Sequence, residues 1–150
     1  MTRSKRFEPI QEIVSSSAEA LSRTVGEAGR HVAELERQLA QLKTYRDEYV
    51  RGEGNGRGTM DAVKLQNYRS FLERLGEAMR QQSTKLDLAR AEYDRRRALW
   101  SEKRIEAESL GRAIERFRKQ EQYAADQSEQ REGDDAAMRI SISRLESGKP

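Results

Sequence analysis

The sequence contains no cysteine and only two prolines among its 150 residues. Without cysteine, the chain can form no disulfide and offers no thiol as a nucleophile or metal ligand. No apolar run approaches the roughly 20 residues needed to cross a bilayer. The first residues, MTRSKRFEPIQEI, include basic side chains but no apolar core of a signal peptide. We therefore expect a cytoplasmic protein.

Residues that commonly perform catalysis are scarce as well. His31 is the only histidine, and no second ligand stands at helical spacing from it, which favours a surface residue over a metal ligand or base. The glycine-rich segment GEGNGRG follows no strand and precedes no lysine–serine or lysine–threonine pair, so a phosphate-binding loop is a poor interpretation. Asp134 and Asp135 have too few companions for a metal site. We expect no enzyme, no cofactor and no metal.

Charge is abundant but balanced. The chain is 35% apolar and 37% charged, too polar to fill a round core, and 29 basic residues are interleaved with 26 acidic ones. The net charge of +3 therefore does not indicate a nucleic-acid-binding protein. One dense basic run, Arg95–Arg97, has Glu92, Asp94 and Glu102 around it, which is typical of a solvated helix face.

Glycine is concentrated in one place, since four of the ten glycines lie between Arg51 and Thr59. Long charged segments without internal proline flank this stretch, so it is interpreted as the bend of a hairpin. Before the bend, nine successive positions spaced four and three apart are all apolar. They are Val14, Ala18, Leu21, Val25, Ala28, Val32, Leu35, Leu39 and Leu42.

The same spacing continues after the bend. Fourteen of eighteen positions from Leu65 to Ala124 are apolar, and the exceptions are Gln82, Arg96, Lys103 and Glu121. A row of apolar residues at this spacing is a coiled-coil seam. The Trp100, Tyr68 and Tyr93 rings lie in the seam, and core packing is their expected role.

The pattern predicts an all-α fold, a long antiparallel two-helix coiled-coil hairpin with arms of unequal length. We expect helices over about 9–51 and 60–132, a loop at 52–59 and a mobile tail at 133–150, with Pro9 in the first turn and Thr59 as a helix cap.

The predicted register specifies which seam residues of the two arms face each other. It places Leu42 opposite Leu72, Leu39 opposite Leu75, Leu35 opposite Met79, Gln11 opposite Lys103 and Val14 opposite Trp100. In this register the first arm ends early, so Ile114, Phe117 and Ala124 have no counterpart and need another partner.

One flank of the seam carries aromatic residues where a solvated coiled coil carries charges. We expect Tyr45 and Phe71 to lie close together there, with Gln38, Ala78 and the seam residues beside them. Aromatic clusters of this kind favour protein binding, although the two rings could simply cover the seam.

Several segments resemble the FliJ family, the small stalk protein of the flagellar type III export apparatus. They are RFEPI, QLAQLKTYRDEY from Gln38 to Tyr49, NYRSFLERLGEAMRQQ from Asn67 to Gln82, and ALWSEKRIEAESL around Trp100. The resemblance covers residues 7 to about 125. It implies a coiled coil similar to the gamma stalk of rotary ATP synthases.

The resemblance also implies partners: the hexameric export ATPase FliI, which holds a single copy, the membrane-embedded export gate protein FlhA, and the export chaperones. The chain would then assist protein export, motility and flagellum biogenesis while peripheral to the inner face of the cell membrane. The implied gate-binding patch is Phe71, Leu75, Ala78, Gln82, Gln38, Leu42, Tyr45 and Tyr49. The implied ATPase-facing end bears both termini and includes Ile114, Phe117, Leu110 and Phe7.

Other functions stay open at this point. A generic coiled-coil spacer or an injectisome counterpart of the stalk would share the seam. A nucleic-acid-binding hairpin would use Arg95–Arg97, although no nucleic-acid partner is expected from the balanced charge.

Overall fold

A computed structural model describes residues 1–55 and 61–148, which form two α-helices. Helix α1 spans Arg3–Asn55 and helix α2 spans Ala62–Ser147, with 53 and 86 residues. The described residues contain no strand. The predicted all-α hairpin with arms of unequal length is confirmed.

The two helices are antiparallel. Tyr45 on α1 contacts Phe71 on α2. Earlier along α1, Gly29 faces Tyr93, which is later along α2. Over the described parts of the chain, neither helix has a stretch apolar enough to span a lipid bilayer.

The helices extend further than the sequence predicted. Helix α1 begins at Arg3 rather than near residue 9, so Pro9 lies inside it. Helix α2 runs on to Ser147 instead of ending near Glu132. The first residues assigned to the loop, 52–55, are the last turn of α1, whereas 56–59 lie outside the described residues. Mobility of the tail remains a prediction.

Each helix begins at a polar cap. For α1, the backbone N–H of Lys5 donates to the Thr2 hydroxyl at 3.4 Å. For α2, the Asp61 carboxylate accepts from the Lys64 backbone N–H at 2.7 Å. An N-cap carboxylate satisfies a backbone donor that has no partner inside the helix. Asp61 is therefore the cap of α2, and the expected cap, Thr59, lies outside the described residues.

Contacts divide the chain into two units. The unit Ala18–Glu102 pairs the later part of α1 with the earlier part of α2. Its apolar core contains Leu35, Leu86 and Ala89, with Val32 and Leu39 packed against them. Each set of facing residues buries only a small area between the two helices, so the stability of this unit depends on many such sets along the seam.

The other unit consists of Met1–Ser17 and Lys103–Pro150. Its most buried side chain is Ile114, which is 3% exposed, and Val14 and Ser4 are buried beside the same seam. Phe7 packs on Phe117 with ring centroids 5.4 Å apart. Beyond Glu121, nearly every described residue of α2 is exposed.

The predicted register is wrong by about one heptad. Leu35 shares its core cluster with Leu86, seven positions beyond the expected Met79. In the other unit, a Cβ on Gly111 would lie 3.4 Å from the side-chain nitrogen of Gln11, whereas Lys103 was expected there. An apolar repeat of seven fits either register almost equally well, so the seam alone did not distinguish them.

The expected uncovered stripe is mostly covered. Ile114 is the most buried residue and Phe117 contacts Phe7, so the expectation that they lack a counterpart is wrong. The reason is that α1 begins at Arg3 and is shifted along α2. Ala124 is exposed, as expected.

Candidate protein-docking site

Four aromatic rings meet in the unit Ala18–Glu102, close to the ends of the helices nearest the bend. We call Tyr45, Tyr49, Tyr68 and Phe71 the aromatic cluster. The Tyr49 ring lies 4.3 Å from the Phe71 ring and is stacked on Tyr68 at 5.5 Å, with an interplanar angle of 15° for the stacked pair. The Tyr45 ring meets Phe71 edge to face at 6.0 Å. The expected proximity of Tyr45 and Phe71 is therefore present.

The four rings differ in solvent exposure. Phe71, Tyr49 and Tyr68 are half-buried, whereas Tyr45 is 53% exposed. A ring supported on one side by other rings and exposed on the other is a rigid binding anchor, because little side-chain entropy remains to be lost on binding.

A polar pair lies on the same side of the hairpin. The Gln82 side-chain nitrogen donates to the Gln38 side-chain oxygen at 2.8 Å and to the Leu35 carbonyl at 3.4 Å. The Gln38 amide in turn donates to Glu34 at 3.2 Å. Arg37, by hydrogen bonding to Glu34, lowers the pKa of that carboxyl.

A shallow groove connects the polar pair to the aromatic cluster. Its walls include Gln38, Leu42, Tyr45 and Gln82, together with Gln41 on α1. Of the eight residues expected in the gate-binding patch, Gln38, Leu42, Tyr45, Tyr49, Phe71 and Gln82 thus take part in contacts of the cluster, the polar pair or the groove.

The other two patch residues have different positions. Leu75 is buried, at 8% exposure, so its side chain belongs to the seam. Ala78 is half-buried two turns after Phe71 on α2. Tyr68 was expected to pack in the seam and was not part of the expected patch; its stacking on Tyr49 adds it to the cluster.

Two residues of the expected ATPase-facing end, Phe7 and Phe117, are in contact. Ile114 is buried and Leu110 is half-buried in the same unit. The Arg3 guanidinium lies 4.6 Å from the centre of the Phe117 ring, a cation–π contact. Phe7, Leu110, Ile114 and Phe117 are thus at least partly covered, whereas Ile10 and Ile13 are 47% and 67% exposed.

The basic run is engaged in local pairing. Arg95 and Arg96 both hydrogen-bond to Glu92 and lower its pKa to about 2. Arg96 also donates to the Thr24 carbonyl at 3.1 Å. Two of the three arginines are therefore committed to protein groups rather than presented together to a phosphate backbone.

No side-chain arrangement at these sites suggests chemistry. Among the described residues, no three His, Cys, Asp or Glu side chains are grouped to hold a metal ion. His31 is exposed beside a shallow pocket lined by Glu27, Glu92 and Arg96. What the geometry offers is a supported aromatic surface with a polar margin, which is suited to binding another protein.

No curated protein and no solved structure gives a match to the chain. A protein-family model described as "Flagellar FliJ protein" does match, over residues 3–146. Because the match covers nearly the whole chain, including both helices and both sets of site residues, this protein belongs to the FliJ family of flagellar type III export components.

Proposed function

We propose that this chain is a stalk-like, non-enzymatic component that binds the export gate protein FlhA through the aromatic cluster and the adjoining groove. The observation that carries the proposal is Tyr45, an exposed ring held against Phe71 on a flank where a solvated coiled coil has charges. Tyrosine anchors of this kind contribute strongly to protein interfaces. The family membership supplies the export apparatus as the setting.

The residues of the patch have different roles under this proposal. Tyr45 contacts the gate protein directly, and Phe71 holds the Tyr45 ring in place while offering its own edge. Gln82 and Gln38 form a polar margin, and removing water from these neutral side chains on binding costs less free energy than desolvating a charged pair. Leu75 acts from inside the seam by keeping the two helices together at this level.

The test is a binding measurement with purified FlhA. We expect Tyr45→Ala and Phe71→Ala each to weaken binding by about 2 kcal/mol, roughly thirtyfold in Kd. Tyr123→Ala is the matched control, since Tyr123 is 67% exposed and lies outside the cluster. Leu75→Ala is a poor probe because it removes a buried side chain and destabilises the fold.

Two results would overturn this site assignment. One is unchanged affinity for both cluster variants while far-UV circular dichroism shows intact helices. The other is an equal loss of affinity in Tyr123→Ala, which would mean that any exposed tyrosine contributes.

We further propose that the hexameric export ATPase FliI binds the unit that carries both termini. Phe7, Leu110, Ile114 and Phe117 shape this end, and the exposed Ile13 provides apolar contact area. We expect one chain for each ATPase ring, altered ATP turnover, and weaker binding for Ile13→Ser. Leu88→Ser is the matched control, since Leu88 is 68% exposed in the other unit. Equal effects of the two substitutions would refute this placement.

The remaining roles follow from the same setting. Export chaperones would bind an exposed face of the hairpin, and contacts with FlhA would keep the protein peripheral at the cytoplasmic face of the membrane. Co-purification of the chain with membranes only when FlhA is present would support this location, and membrane association without FlhA would refute it.

A further inference from the structure

The coiled-coil seam leaves the register of the two helices poorly specified. Apolar residues recur every seven positions on both helices, so moving α1 by one heptad along α2 again brings apolar side chains together. The register must therefore be selected by features that do not recur. Polar residues at seam positions are the best attested features of this kind.

Glu121 is one such residue, and its contacts cannot be repeated elsewhere. Its two carboxylate oxygens accept hydrogen bonds from the backbone N–H of Ser4 at 2.9 Å and from the Ser4 hydroxyl at 2.7 Å. Ser4 is 4% exposed and lies in the first turn of α1. Backbone donors without partners occur only at a helix N-terminus, and α1 has a single N-terminus.

The surroundings of Glu121 make slippage possible in one direction. Helix α2 continues from Glu121 to Ser147 as an exposed helix with no helix of the described chain beside it. In this unit, the start of α1 would therefore still lie against helix α2 after a shift of one heptad towards the C-terminus of α2. Movement in the opposite direction would uncover Ile114 and Phe117, which are packed in the observed register.

We propose that Glu121 is the residue that selects the register of this unit and stops α1 from sliding one heptad towards the C-terminus of α2. In the slipped register Glu121 lies beside Gln11, in the interior of α1. The backbone N–H groups there are already bonded within the helix, and only the neutral side-chain amide of Gln11 remains as a donor. The carboxylate thus stabilises the observed pairing and disfavours the slipped one.

The test uses the absence of cysteine, which leaves introduced thiols as the only reactive ones. Gln11→Cys with Gly111→Cys reports the observed register, since these positions face each other. Glu8→Cys with Ala125→Cys reports the slipped register, because Ala125 is seven residues beyond Arg118, the observed partner of Glu8 at 2.7 Å. Each pair is treated in dilute protein with a short thiol crosslinker, and monomeric crosslinked product is measured.

The decisive variant is Glu121→Leu, combined with each cysteine pair. Leucine suits a seam position, so we expect helicity to be retained, while Tm falls slightly because the buried Ser4 donors lose their acceptor. We expect the slipped crosslink to increase about tenfold while the native crosslink decreases, since charge-assisted hydrogen bonds that favour one register are lost.

Glu115→Leu is the matched control. Glu115 is an exposed residue on the same helix, six positions earlier, whose partner is Lys119. The proposal predicts no change in either crosslink for this variant. It is overturned if Glu121→Leu leaves the slipped crosslink at its parent level with helicity intact, or if Glu115→Leu raises that crosslink equally.

Discussion

The register of the core can be tested by a double-mutant cycle between Leu35 and Leu86. These residues belong to one buried cluster, at 7% and 4% exposure. The alternative register places Leu35 opposite Met79 instead. The single variants are Leu35→Ala, Leu86→Ala and Met79→Ala. The double variants combine Leu35→Ala with Leu86→Ala and Leu35→Ala with Met79→Ala.

The expected magnitudes follow from burial. Truncating a nearly fully buried leucine to alanine removes the transfer free energy of its methyl groups and leaves a cavity, and we expect about 2 to 3 kcal/mol for Leu35 or Leu86. The value falls at the low end of the known range because a gap between only two helices opens to water. Met79 is half-buried, so its truncation should cost less.

The coupling free energy carries the test. Once Leu35 is truncated, Leu86 has already lost part of its packing, so the double mutant should be less destabilised than the sum of the singles by about 1 kcal/mol. Met79 is not among the residues of this core cluster, and its effect should add to that of Leu35 to within about 0.5 kcal/mol.

The assay is urea unfolding followed by far-UV circular dichroism, with free energies taken from midpoints at a common slope. A larger coupling between Leu35 and Met79 than between Leu35 and Leu86 would refute the observed register. Equal additivity in both cycles would show that neither pair packs as described.

Three further predictions concern single groups. Hydrogen bonds from Ser4 lower the pKa of Glu121 below its usual 4.5. The charged carboxylate therefore adds stability above pH 4.5, and this contribution is lost as the pH falls through the lowered pKa. We expect Tm to fall more steeply with decreasing pH in the parent protein than in Glu121→Gln, and parallel plots of Tm against pH would contradict this. Gly26→Ala should stabilise the protein by up to about 1 kcal/mol, because the new Cβ meets only the flexible end of Arg30 at 3.4 Å. A lower Tm in this variant than in the parent protein would show that the Cβ does not fit at position 26. Asp61→Ala should cost about 1 kcal/mol through loss of the α2 cap, with Asp61→Asn close to the parent in urea unfolding, and equal losses in both would contradict capping.

The aromatic cluster shows how far sequence reasoning reached into the candidate site. The proximity of Tyr45 and Phe71 was predicted from their shared flank and from the assumed register, and it is present even though that register is shifted. The seam positions of Tyr68 and Leu75 were predicted, but the stacking of Tyr68 on Tyr49 was not, since it depends on which residues of the two helices face each other. Whether this surface binds the export gate stays a prediction.

The packed end shows the limit of the same reasoning. Ile114 was expected to be uncovered, and it is the most buried side chain. The error came from the start of α1 and from the register, and neither follows from apolar spacing. Glu121 had been recognised only as a polar exception in the seam, because its partner is the start of α1 rather than a side chain at matching spacing.

The sequence alone determined that two helices of unequal length fold back near the glycines and pair along a continuous apolar seam. It could do so because helical periodicity and glycine placement are local properties of the chain. Only the tertiary structure decided which residues face each other, since a seven-residue repeat pairs with itself equally well after a shift of seven. That choice depends on unique contacts such as Glu121 with Ser4, which exist only when the helices are together.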